Sequence, residues 1–321
     1  MNIDDIKVKR ETRIVFMGTP DFAVPVLEGL IDNYNVVGIV SQPDKKVGRN
    51  GKIKETPIKE VAIKNNILII QPNKITDAEE EIYAWKPDII VTCAYGQILP
   101  VTLLHLPTIA AINVHGSILP KLRGGAPIHR AVMNGFETTG MTVMYMDKKM
   151  DAGDIISTKE IKIEEFDTAE SMHDKLSILG RDLLLETLPS IINGTNNRIK
   201  QDENLVTYAP TIKREDEKIN FSKSKKDVYN KVRGLNSWPG AYFTLNNKII
   251  KVWEIGITNQ FFDNCVDGQI TNLYKEGIGV KVSNGEIVLK VIQPEGKGKM
   301  DAFAYVNGIK DKEKLIGVVL K

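Results

Sequence analysis

The chain has little cysteine. Cys93 and Cys265 are the only two among 321 residues. That is too few for a disulfide framework or a four-thiolate metal site, and it fits a reducing cytoplasm. No run of about 18 uncharged apolar residues occurs, so no membrane span is expected. Met1-Asn2-Ile3-Asp4-Asp5 is not a basic segment followed by an apolar one, so no secretory leader is expected there. The sequence has no G-x-x-x-x-G-K-[ST] phosphate loop, no G-x-S-x-G nucleophile elbow and no H-E-x-x-H. The four histidines do not fall at a zinc spacing, and no metal site is expected. Repeats, low-complexity tracts and sustained apolar heptads are also missing, and a monomer is expected.

Apolar residues make up 42% of the chain and charged residues 26%, the composition of a globular protein of about two domains. The net charge is only +2, but it is unevenly spread. Ala209 to Lys321 carries 19 Lys+Arg against 13 Asp+Glu, and the rest carries 24 against 28. A basic C-terminal third on a mildly acidic body hints at a polyanionic partner, although lysine-rich surfaces are common.

The first dozen residues (1–12) are polar and are expected to be frayed. Arg13–Gly18 then reads as a short buried strand, followed by apolar residues at helical spacing from Phe22 to Ile31. Val36–Val40, Asp88–Ala94 and Ala110–His115 are further strands. Helical stretches such as Ile58–Lys64 and Asp77–Trp85 separate them. Continuous β-branched runs alternating with helices predict a parallel sheet covered on both faces, a doubly wound, Rossmann-like α/β domain over 13–194. A long helix is expected from Ala169 to Ile192, stopping at Asn193-Gly194. Residues 195–210 are polar and weakly patterned and read as the linker. In 211–321 a helix over Ser222–Arg233 precedes short strand-like runs punctuated by Asn-Asn, Asp-Gly and Asn-Gly turns. That pattern suggests a small OB-like β-barrel.

Three stretches carry candidate chemistry. Gln42 to Lys54 is a long loop with five cations, Lys45, Lys46, Arg49, Lys52 and Lys54, against the single Asp44. Strand-to-helix loops are usually about 2–6 residues, and a longer basic one suits phosphate binding, with Arg49 offering a planar donor fork. A merely solvated loop fits the composition equally well. The second stretch, Asn113-Val114-His115, ends a buried strand, so strand alternation puts Asn113 and His115 on one face. In an open α/β sheet ligands gather beyond the carboxyl ends of strands. An amide donor beside a protonatable ring there suits stabilisation of an oxyanion at a carbonyl centre. The third stretch places Asp147, Asp151 and Asp154 around Gly153. One of these could orient His115 or carry protons, and turn capping fits as well. Gly18-Thr19-Pro20 opens a helix without forming a dinucleotide fingerprint.

Taken together, these residues resemble the methionyl-tRNA formyltransferase family along nearly the whole chain. The resemblance rests on Phe16-Met17-Gly18-Thr19-Pro20, Gln42-Pro43-Asp44, Ala94-Tyr95-Gly96, Asn113 to Ile128, Asp151-Ala152-Gly153-Asp154, Thr207-Tyr208-Ala209 and Leu235 to Ala241. It implies 10-formyltetrahydrofolate as one-carbon donor, the α-amino group of methionyl-initiator tRNA as acceptor, and a cytoplasmic enzyme of translation initiation. By the same resemblance Asn113, His115 and Asp151 form the catalytic trio. Ser117, Ile118, Leu119 and Pro120, with the backbone around Tyr95 and Gly96, border the folate. Arg49 aligns with the key arginine of a tRNA-binding loop that also holds Lys45, Lys46 and Lys52, and 211–321 would be a tRNA-binding domain. The chain departs from the usual pattern in three places. Ile118 stands where leucine is usual, Ser237 stands where proline is common, and the loop reads Gly48-Arg49-Asn50-Gly51-Lys52 rather than Gly-Arg-Gly-Lys-Lys. Two rivals remain: a formyltransferase with the same trio acting on an amino-sugar nucleotide or another amine, and a non-catalytic nucleic-acid-binding protein.

Overall fold

A computed structural model describes residues 11–47 and 51–321. Thr12, expected to be frayed, is already buried. The chain divides into two compact units. The first takes the chain up to Pro127 together with Thr139–Ile161 and His173–Pro210. The second takes Ile128–Thr138, Lys162–Met172 and Thr211–Lys321.

The first unit is built on a seven-stranded sheet. Its strands are β1 (Arg13–Gly18), β2 (Asn35–Val40), β5 (Ile69–Ile70), β6 (Ile89–Cys93), β7 (Ala110–His115), β8 (Thr138–Tyr145) and β9 (Ile155–Lys162). A separate hairpin is formed by β3 (Lys45–Val47) and β4 (Lys52–Lys54). The sheet order is β5-β2-β1-β6-β7-β8-β9. The first five strands in that order are parallel, as the β-branched runs predict, and Ile14 to Met17 have no exposed surface. The sheet is nevertheless mixed, because β8 runs antiparallel to β7. Gly38 illustrates how closely the layers pack: a Cβ there would lie 2.3 Å from the Trp85 ring. The helix Ala169–Ile192 lies across β7 and β8, where Gly180 leaves room for Val114 and Met141. From β1 the chain winds outward through β2 to β5, then returns to β6 on the other side. That reversal makes the carboxyl ends of β1 and β6 a topological switch point, the usual ligand position in such sheets.

In the second unit β10 (Ala241–Leu245), β11 (Lys248–Ile257), β12 (Ile270–Tyr274), β13 (Gly277–Val282) and β14 (Gly285–Pro294) pair in the order β10-β11-β14-β13-β12. A short β15 (Met300–Asp301) pairs with β14. All the pairings are antiparallel. The Asn246-Asn247 turn has both residues at positive φ (50° and 62°), the backbone that a two-residue hairpin demands. β12 and β10 do not pair directly among the described residues. The last residues of the chain run between them instead. Ile270 N–H donates to Val318 O (2.8 Å) and Leu320 N–H to Gly268 O (2.9 Å). On the other side Thr244 and Lys321 exchange two backbone bonds, of 2.5 and 3.0 Å. This strip satisfies two sheet edges that would otherwise stay open.

The two short inserted stretches join this unit for a local reason. Arg233, on the helix Lys225–Gly234, is buried, and its Nη1 donates to the carbonyls of Glu164 (3.0 Å) and Asp167 (2.9 Å). Gly135 abuts Asn230, whose Oδ1 accepts from Arg233 Nε at 2.9 Å. A contiguous reading of the chain could not anticipate this exchange, since a buried arginine chooses carbonyls by space and not by sequence distance.

Leu320 is 4% exposed and anchors the closing strip. Leu320→Ala is expected to cost about 2–4 kcal/mol. Lys321→Ala, which keeps the backbone bonds, should change stability by less than about 0.5 kcal/mol. Urea unfolding of the two variants checks both values, and equal midpoints would contradict the anchoring role.

Candidate active site

The β7 backbone sets the first two groups. Asn113 and His115 are two residues apart, so their side chains leave the same face of the sheet. Asn113 lies opposite Thr92 of β6 in the parallel register. Of the neighbours of the Thr92 hydroxyl, Asn113 Oδ1 is nearest, at 2.8 Å. Accepting that proton turns the amide so that its Nδ2 faces Asp151 Oδ1 at 3.4 Å. The orientation is chemically required, because an ionised carboxylate only accepts. His115 is 6% exposed, with Nδ1 3.7 Å from the same Asp151 oxygen and Nε2 3.1 Å from Leu122 O. Both ring nitrogens thus face oxygens, so a proton on either one meets an acceptor.

Asp151 arrives from the loop between β8 and β9. It has φ 51°, a left-handed conformation unusual outside glycine. Its Oδ2 accepts the Gly124 N–H at 2.8 Å. Gly124 itself has φ 120°, and a Cβ there would lie 2.8 Å from Ala209 O. Gly153, two residues after Asp151, is equally constrained: a Cβ would lie 1.8 Å from Tyr145 O. The other two acids of the loop have ordinary duties. Asp147 Oδ1 accepts the Lys149 N–H (3.1 Å) in a local turn, and Asp154 pairs with Arg198 (2.6 Å).

The segment after β7 is pinned internally. Ser117 Oγ donates to Lys121 O (2.7 Å), Thr142 Oγ1 donates to Ser117 O (2.6 Å), and Leu119 N–H donates to Thr142 Oγ1 (3.2 Å). Ser117 and Leu119 are buried, while Ile118 and Pro120 are half-buried. The Tyr95 carbonyl gathers the ends of three strands, accepting from Thr19 Oγ1 (3.0 Å) after β1 and Gln42 Nε2 (3.3 Å) after β2. Its ring, by contrast, belongs to the core, where the hydroxyl finds no hydrogen-bond partner among the described residues and burial pushes it up to about 12. Gly96 is exposed at φ 90°. Cys93 ends β6 fully buried, and burial raises its thiol to about 12. It is a packing group and not a nucleophile.

Lys45, Lys46 and Lys52 are exposed on the β3–β4 hairpin, and Arg49 lies outside the described residues. The hairpin register sets Lys45 opposite Lys54. Its base is fixed by Asp44, which bonds Lys59 Nζ (2.5 Å) and Gln71 Nε2 (2.8 Å). Those two donors hold the Asp44 carboxyl below its ordinary range. Lys45–Val47 and Lys52–Lys54 thus form strands within what reads in the sequence as a long loop.

Residues 195–210, expected as a linker, instead wall the site. Ile199 pairs with Ile155, Thr207 O and Oγ1 accept from Arg123 N and Leu122 N (2.9 Å each), and Ala209 bonds Arg123 O at 2.7 Å. Sequence reasoning missed Thr92, Arg123, Gly124, Gln201 and Thr207 as site builders. Arg123-Gly124 and Thr207, which lie inside quoted motifs, carried a signal, and Thr92 and Gln201 carried none. Among the described residues no group of three or more His, Cys, Asp or Glu could hold a metal. One carboxylate flanked by an amide and an imidazole can instead present two N–H donors to a developing oxyanion and accept a proton beside them.

The formyl transferase family model matches residues 12–188, and the formyl transferase C-terminal domain model matches 211–310. A methionyl-tRNA formyltransferase of Bacillus licheniformis is 50% identical over 301 residues, spanning 92% of this chain and 95% of that one. The Staphylococcus aureus protein of that name is 48% identical over 302 residues, with 92% and 96% covered. The fold is shared with an N-formyltransferase from Helicobacter canadensis at TM-score 0.67 and 22% identity, covering 88% of this chain and 99% of the other. The chain belongs to the formyltransferase family, and within it to the methionyl-tRNA formyltransferases.

Gly124→Ala meets both a forbidden φ and the Ala209 carbonyl, whereas Gly194→Ala meets only a positive φ (67°) with nothing within 4 Å. The second change is expected to cost about 1 kcal/mol. The first should cost roughly 1–3 kcal/mol more, through overpacking. Thermal denaturation of the pair measures the difference, and equal losses would mean that Gly124 is not under steric constraint.

Proposed function

We propose that the protein transfers the formyl group of 10-formyltetrahydrofolate to the α-amino group of methionyl-initiator tRNA in the cytoplasm, at Asn113, His115 and Asp151. The observation that carries this reading is the single Asp151 oxygen standing between the Asn113 amide and the His115 ring at the carboxyl end of β7. It is supported by near full-length similarity to proteins named for that reaction.

The chemistry follows from the groups present. The neutral amine attacks the formyl carbon, and a new C–N bond forms as negative charge builds on the formyl oxygen. Asn113 Nδ2–H and a His115 ring N–H donate to that oxygen. Their contacts to Asp151, at 3.4 and 3.7 Å, are long enough to be exchanged for a stronger acceptor. Asp151 orients the imidazole before attack and then draws the proton from the attacking nitrogen, through a water. The C–N10 bond then breaks, and the proton passes to N10 of the departing folate. Loss of one oxyanion donor typically costs about 10²–10³ in rate. Ser117 to Pro120, with the backbone at Tyr95 and Gly96, would line the folate.

Lys45, Lys46, Arg49 and Lys52 would take the tRNA. Lys45 opposite Lys54 is a like-charge cross-strand pair, which is unfavourable alone and relieved by phosphate. The basic C-terminal third supplies further charge for the same polyanion. The test is formyl transfer to methionyl-initiator tRNA, with methionyl-elongator tRNA and free methionine as controls. Selective formylation of the initiator is expected. Donor hydrolysis without transfer would redirect the search to another amine, and no donor binding would end the enzymatic reading. In the same assay Arg49→Ala should weaken tRNA use at least about tenfold while sparing slow donor hydrolysis. Unchanged tRNA kinetics would remove Arg49 from the tRNA site.

A further inference from the structure

Asp151 is held at both its side chain and its backbone. Its carboxylate rests on the Gly124 N–H. Its carbonyl accepts a hydrogen bond from Gln201 Nε2 at 2.8 Å, and the same nitrogen reaches Gly153 O at 2.7 Å. Gln201 is 5% exposed. Its Oε1 accepts from Arg123 Nε (3.0 Å) and Nη2 (2.8 Å), and Arg123 is 3% exposed. Arg123 in turn reaches Glu203 at 3.0 Å, which holds the Glu203 carboxyl below its ordinary range.

The arrangement dictates the amide orientation. A guanidinium only donates, so Gln201 must show it oxygen. Both amide hydrogens are then committed to the two carbonyls that bracket Ala152. Those carbonyls define the turn in which Asp151 takes a left-handed φ, a conformation that persists only when its surroundings over-determine it. No other side chain type of this size offers two donors and an acceptor at once.

We infer that Gln201, fixed by Arg123, is a positioning residue that holds the Asp151 turn and so sets the carboxylate against Asn113 and His115. The inference rests on the reading that Asp151 acts in the transfer. It adds a residue from the far side of the unit's chain, one that touches neither His115 nor Asn113. Displacement of a reacting group by about 1 Å can cost up to ~10² in rate. Removing the two donors is therefore expected to lower turnover between tenfold and hundredfold.

The test compares wild type, Gln201→Glu, Asp151→Asn and the double variant. Two measurements are made on the full chain: the kcat and KM for formyl transfer, and the NMR resonances of the His115 ring. Gln201→Glu keeps the shape and removes both donors. Expected are a kcat loss of about 10–100-fold with donor KM within about threefold, displaced His115 ring signals, and little further loss when Asp151→Asn is already present. Wild-type kcat with unmoved His115 signals would overturn the inference, as would losses that multiply in the double variant. If the wild type forms no formylated product, the functional reading fails. The positioning role is then decided by the His115 signals alone. Should Gln201→Glu not fold, Gln201→Met removes both donors without adding charge and carries the same expectations.

Discussion

The hydrogen bond from the Gly124 N–H to Asp151 Oδ2 is the contact around which the site is assembled. It brings together two loops far apart in the chain, one leaving β7 and one joining β8 to β9. Each loop needs a glycine to approach so closely, Gly124 against Ala209 and Gly153 against Tyr145. With one carboxylate oxygen fixed, the other lies within reach of both Asn113 and His115. The amide is turned by Thr92 and the ring is braced by Leu122 O. The cluster therefore needs only one group from outside β7 to be pinned, because Asn113 and His115 are already set on one face by strand geometry.

That division explains what was legible in the sequence. Asn113 and His115 were readable because a strand alternates strictly, so two residues apart means the same face. The parallel part of the sheet was readable from β-branched runs such as Ile89 to Val91. The antiparallel β8 was not, since no local signal states which edge a strand will join. Residues 195–210 were misread as a linker for a similar reason. Their partners are Asp151, Leu122 and Arg123, and a polar stretch without period carries no information about distant partners. Asp151 was one of three candidate acids on pattern alone. Resemblance singled it out, and its neighbours distinguish it from Asp147, which caps a turn, and Asp154, which pairs with Arg198.

The second unit shows another limit. Its hairpin strands and Asn-Asn turn follow from local chemistry, and a small barrel of the OB type was expected. The ordered strands form a five-membered antiparallel path with β15 on its flank, and Val318–Lys321 runs between the two outer strands. The stretches 128–138 and 162–172 belong to this unit, where the buried Arg233 guanidinium donates to the carbonyls of Glu164 and Asp167. The net charge of +2 conceals the basic character of this third of the chain, and the β3–β4 hairpin concentrates a second basic patch in the other unit. Opposed lysines on a hairpin are a cost to folding that a phosphate backbone would offset.

We propose that one oriented carboxylate, Asp151, organises the reaction at the Asn113–His115 pair. Its most direct test is the single-turnover rate of formyl transfer by Asp151→Asn with donor and methionyl-initiator tRNA both saturating. The account predicts a fall of at least about 10² in that rate, with the donor's Kd changed by less than about threefold. A wild-type rate, or a loss that disappears once the donor is saturating, would contradict it.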